Sequence, residues 1–111
     1  LNVDCALDGK RIGLVDAGAM AFHFGTLVAR LASTRRVRAG SVVGAGTASS
    51  AAATRGVACL AERRALEILD HGEPRTGWMR FGDAVRLDVR GRDGLSVFGA
   101  IEQTVAPLER T

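Results

Sequence analysis

At 111 residues the chain has room for one domain, residues 1–111, and one hydrophobic core, but little for a self-contained enzyme with a deep pocket. Apolar residues at 47%, charged residues at 24% and 14 glycines with two prolines describe a globular sequence, not a disordered or collagen-like one. No apolar run approaches the ~20 residues of a membrane span, so no membrane is expected as a partner.

The net charge of +3 is local. Residues 1–55 carry seven cations against three acids, centred on Arg30, Arg35, Arg36 and Arg38, while residues 56–111 carry eight against nine. A solvated helix end accounts for this cluster, because cations favour the negative end of the helix dipole. With no Tyr, one Trp and no basic–aromatic interleaving, nucleic acid is not expected as a partner. Leu1-Asn-Val-Asp-Cys5 carries no basic-then-apolar leader, and Cys5 and Cys59 lack Cys/His spacing. A reducing, cytoplasmic setting is the expectation.

In chain order, Asp8-Gly9 is a tight-turn signal between Cys5-Ala-Leu7 and Arg11-Ile-Gly-Leu-Val15, which predicts a hairpin. Ala17-Gly-Ala19 reads as a loop. Met20, Phe24, Leu27, Val28 and Leu31 then fall on one face of a helix over about residues 21–33. Ser41–Thr47 reads as a short buried strand ending in glycines, and Ala48–Arg55 as an exposed loop. Over 56–70 propensity favours helix, although no clear N-cap opens it. His71-Gly-Glu-Pro74 is a turn. Val85, Leu87 and Val89 alternate as in a half-buried strand, Arg92-Asp-Gly94 turns, and Leu95–Val105 reads as a final strand.

Few residues suggest chemistry by themselves. Gly44-Ala-Gly46-Thr47 lacks the Lys of a phosphate loop and the third glycine of a dinucleotide fingerprint. What remains is a backbone that a ligand can approach closely, with the Thr47 hydroxyl beside it. His23 reads as a boundary residue and His71 as solvated; Ser49 and Ser50 lack a recognisable base. Asp4, Asp8 and Asp16 lack metal-ligand spacing. Glu62 follows the apolar Cys59-Leu-Ala61, where shelter from water would suit it to proton handling; an exposed acid paired with Arg63 or Arg64 is the alternative.

Taken in order, several segments resemble the C-terminal part of the fumarylacetoacetate hydrolase family, especially its bacterial fumarylacetoacetase-like branch. They are Met20-Ala-Phe-His-Phe-Gly-Thr-Leu-Val-Ala-Arg-Leu-Ala-Ser33, Ala39-Gly-Ser-Val-Val-Gly-Ala-Gly-Thr47 and Cys59-Leu-Ala-Glu-Arg-Arg64, followed by Gly72-Glu-Pro74, Phe81-Gly-Asp-Ala-Val-Arg86 and Phe98-Gly-Ala-Ile-Glu-Gln103. Gly40-Ser41 departs from the Gly-Asp usual in that family.

The resemblance implies an α+β fold, mostly β: the C-terminal portion of a mixed β-sandwich roll with one main helix over about 21–33. It also implies strand over 56–70, overriding the helix propensity there. The implied activity is metal-dependent hydrolysis of a carbon–carbon bond in a 1,3-dicarbonyl acid. Gly46 and Thr47 match the substrate-binding strand end, and Glu62 the glutamate that helps orient the attacking water. Mg²⁺ or Ca²⁺ is implied as cofactor, with its ligands and the catalytic His outside this chain. The implied partners are a small 1,3-diketo acid, the N-terminal part of the same enzyme and a second copy in a homodimer. The alternative is a non-catalytic binding or interaction module that keeps the scaffold and assembles with a partner chain.

Overall fold

The hairpin forms at Asp8-Gly9. In the computed structural model, which describes residues 1–50 and 56–109, β1 (Asn2–Leu7) and β2 (Lys10–Asp16) pair antiparallel across this two-residue turn. Both turn residues have positive φ, 49° and 73°, the conformation that matches the twist of the flanking strands. Asp8 also latches the turn to the third strand: its N–H donates to Ala84 O and its Oδ1 accepts from Ala84 N, each at 2.8 Å.

β3 (Ala84–Arg90) pairs with the other edge of β1, and β4 (Ile101–Thr104) with β3, in an all-antiparallel sheet of order β2-β1-β3-β4. The alternation of Val85, Leu87 and Val89 is therefore a strand, as expected. The final strand is shorter than Leu95–Val105. Ser96 makes only an isolated bridge to Arg90, and Gly99, at φ 84°, interrupts the run before Ile101.

One sheet face is built from charge. Asp4 and Asp88 sit directly opposite each other and are buried, 5% and 2% exposed. Like charges at that spacing are held only by cations around them. Arg11 grips Asp4 in a fork, at 2.8 and 2.7 Å, while Asp88 accepts from Ser96 Oγ at 2.6 Å and Arg86 at 3.1 Å and forms an ion pair with Arg90 at 3.0 Å. The Ser96 hydroxyl, then the guanidiniums of Arg86 and Arg90, hold the Asp88 carboxyl below its ordinary range.

The other face carries the apolar core, Cys5, Val15 and Val57. Val57 arrives through a close backbone approach: Gly56 bridges Gly13, and Val57 N donates to Ile12 O at 3.4 Å. Three residues later α2 (Leu60–His71) begins. The strand expectation for 56–70 is thus corrected, and local propensity prevails. Leu-Ala-Glu-Arg-Arg-Ala-Leu-Glu are strong helix formers, Glu62 lies in the first turn, and Arg63 pairs with Glu67 at i,i+4. Gly72, at φ 82°, closes the helix by donating to Ile68 O. Among the described residues two helices accompany the four-stranded sheet, an α+β fold as expected, with α2 added to the helix foreseen near 21–33.

The first helix, α1 (Phe24–Ala32), starts later than residue 21 because His23 is its N-cap: Nδ1 accepts from Thr26 N at 3.2 Å. Arg30 lies in its last turn, where the dipole favours a cation. Ser41–Thr47 forms no strand; Val42 is 96% exposed, and the edge of β2 is met by Gly56 instead. The expected loop over Ala48–Arg55 lies partly outside the described residues, and Ala48–Ser50 are irregular.

Packing is incomplete. A compact protein of 11.6 kDa exposes about 5,800 Å², whereas this chain exposes 8,656 Å². Its radius of gyration is 16.6 Å, against about 13 Å for a compact domain of this length. Neither helix buries a residue fully, and Phe22, Phe81, Leu95 and Phe98 are each more than 60% exposed.

Candidate functional site

A cavity of about 390 Å³ opens at the C-terminal end of β2. One wall is the segment Ala45–Ser49, which contributes Gly46, Thr47 and Ser49. The opposite wall begins at Asp16 and the 3-10 turn Ala17–Ala19 and continues through Met20, Phe22, Phe24 and Leu27. Asp16 accepts from Gly18 N at 2.8 Å, which fixes the turn that carries the chain from the sheet to α1. Gly46 has φ 76°, and a Cβ there would meet nothing within 4 Å. The glycine is needed for the backbone bend, and its bend presents Thr47 at the cavity.

Glu62 reaches the same place from another element. It is half-buried, in the first turn of α2, and its Oε1 accepts from Ser49 Oγ at 2.5 Å. The hydrogen bond ties α2 to the 45–49 wall across 13 residues of sequence. Gly46 and Thr47 therefore line the cavity, and Glu62 stands behind Ser49, two residues from Thr47. A hydroxyl donating to a carboxylate leaves the second carboxylate oxygen able to accept from a water or a substrate hydroxyl.

The helix that carries Glu62 has a second anchor five residues along. Glu67 accepts from Thr76 Oγ1 at 2.5 Å and from the backbone N–H of Arg75 and Thr76 at 2.7 Å each. The Thr76 hydroxyl, then its N–H, hold the Glu67 carboxyl down to about 2. Arg63 donates to Thr76 Oγ1 at 2.8 Å, Arg64 to Thr76 O, and the Arg64 guanidinium lies 4.6 Å from the Trp78 ring centroid. The segment after α2 is thereby strapped to the helix.

The family model described as Fumarylacetoacetate (FAA) hydrolase C-terminal matches residues 1–106. The chain belongs to this family. None of the curated proteins compared with the chain matches it.

Among the described residues no three His, Cys, Asp or Glu side chains come together as a metal site. The residues present thus do not fit the divalent cation implied by fumarylacetoacetate hydrolase membership. What they offer is hydrogen bonding and proton placement. Among the described residues no helix is long and apolar enough to cross a membrane. Cys5 and Cys59 are both free thiols. They line a second, apolar cavity of about 380 Å³ between the sheet and the start of α2, with Leu7, Trp78 and Leu87.

Two participants were not legible as such. Ser49 reads as a loop serine without a partner, and Asp16 as one of three scattered carboxylates. A Ser or Thr shortly after a glycine-hinged threonine, with a carboxylate opening the next helix, is the signal that would have paired Ser49 with Glu62.

Proposed function

We propose that this chain forms the C-terminal wall of the substrate site in a hydrolase that cleaves a carbon–carbon bond of a 1,3-dicarbonyl acid. The proposed substrate is fumarylacetoacetate-like, giving fumarate and acetoacetate in aromatic amino-acid catabolism. What supports this reading is that Gly46 and Thr47 line one cavity together with Ser49, whose hydroxyl donates to Glu62.

In this proposal the Thr47 hydroxyl donates to a substrate carboxylate or carbonyl oxygen. Met20, Phe22 and Phe24 face the hydrocarbon part and exclude water from it. Glu62 accepts one hydrogen of a water and so turns the water's lone pair toward the carbonyl carbon. The water oxygen bonds to that carbon as the carbon–carbon bond breaks. The electron pair leaves on the neighbouring carbon as an enolate, which takes up the proton that the attacking water gives up; the water's oxygen and second hydrogen stay on the other product as a carboxylic acid, which ionises. No step assigned to this chain runs through a metal ion.

The uncovered apolar side chains support assembly with the rest of the same enzyme and with a second copy as a homodimer. On this reading the 111 residues alone do not turn over substrate. The test is Thr47→Val in the complete enzyme. Loss of a hydrogen bond to a charged group, about 1.5–3 kcal/mol, weakens substrate binding by about ten- to a hundredfold. Unchanged kinetics would remove Thr47 from the site.

A further inference from the structure

We infer that Ser49 is the positioning residue for Glu62: its hydroxyl holds one carboxylate oxygen so that the other is presented to the reacting water. The inference rests on the role of Glu62 proposed above and adds a residue to it.

Three observations carry it. The Ser49 Oγ–Glu62 Oε1 distance, 2.5 Å, is at the short end for a hydroxyl donating to a carboxylate. Ser49 lines the cavity beside Thr47, so the group that restrains Glu62 belongs to the same wall as the group that meets substrate. Third, Glu62 stands at the third position of α2, behind Cys59, whose side chain makes no cap hydrogen bond. A glutamate there often turns back to cap its own helix start. Here its Oε1 is turned across to the 45–49 segment instead.

A glutamate side chain has three rotatable bonds, and its rotamers compete unless a contact selects one. The Ser49 hydroxyl supplies that contact. It donates, so it occupies an acceptor site of the carboxylate and leaves Oε2 able to accept from water. An alanine at 49 would free Glu62 to rotate while leaving the Thr47 hydroxyl in place.

The test compares Ser49→Ala, Ser49→Thr and Glu62→Gln in the complete enzyme, with kcat and KM for a 1,3-diketo acid measured separately. Ser49→Ala is expected to lower kcat about tenfold or more, in keeping with a lost hydrogen bond to a charged group, while KM changes less than twofold. Ser49→Thr keeps a hydroxyl and is expected to restore at least half of kcat. A Ser49→Ala enzyme with full kcat, beside an inactive Glu62→Gln, would overturn the Ser49 assignment and leave the role of Glu62 standing. Full activity in both variants would overturn the role of Glu62 and that of Ser49 with it. A rise in KM without a fall in kcat would make Ser49 a substrate contact and also overturn the inference.

Discussion

Gly13 holds the link between the sheet and the helix that carries Glu62, and Gly13→Ala should break it. A Cβ at Gly13 would lie 2.7 Å from the carbonyl carbon of Val57 and 2.9 Å from its nitrogen, where ordinary contact begins at 3.4 Å. These are backbone atoms, so no side chain can rotate away. The 56–57 segment must instead move out by about 0.7 Å or more, the gap between observed and ordinary contact. The approach is equally close from the other side, since a Cβ added at Gly56 would lie 2.9 Å from Gly13 Cα.

Two contributions are then lost. Val57 is 5% exposed, and burial of a valine side chain stabilises by about 1.5–3 kcal/mol. The Val57 N–H to Ile12 O bond adds about 1 kcal/mol net. Gly13→Ala is therefore expected to destabilise the complete protein by about 2.5–4 kcal/mol, a large part of an ordinary domain's stability. Urea unfolding measures it. Gly77→Ala, where a Cβ meets nothing within 4 Å, is the control and should stay within about 0.5 kcal/mol of the parent. A Gly13→Ala protein as stable as its control would refute the argument that this backbone approach sets the position of α2.

Two further outcomes are expected. Glu67 is held at about 2 against an ordinary 4.5, so its contribution is complete above about pH 4.5 and is lost as the pH falls towards 2. The thermal midpoint should drop through that window and drop less in Glu67→Gln; parallel pH curves for the two proteins would contradict it. Burial, and after it the Asp4 charge, push the Cys5 thiol up, and Cys5 is 1% exposed, whereas Cys59 is half-buried. Thiolate is the reactive form, so a disulfide reagent should titrate one thiol in the native protein and the second only on unfolding. Equal rates at both would contradict the placement of Cys5.

Where a local rule decided the outcome, the sequence was sufficient. Asp8-Gly9 is a turn because both residues tolerate positive φ. Val85, Leu87 and Val89 form a strand because period two suits a sheet with one apolar face. Residues 60–71 obey propensity, against the strand that the family resemblance implied. Gly46 and Thr47, which line the cavity, and the carboxylate of Glu62 were nameable as candidates from their residues and from the family likeness.

Tertiary structure alone decided what meets what. Ser41–Thr47 has the composition of a buried strand, yet a strand exists only where a ladder accepts it, and Gly56 stands at the β2 edge. The contact between Ser49 and Glu62, the face-to-face burial of Asp4 and Asp88, and Asp16 at the cavity mouth each join segments with no shared local period. Periodicity and propensity act over one or two turns of chain, whereas these contacts follow from how the segments fold back on the sheet.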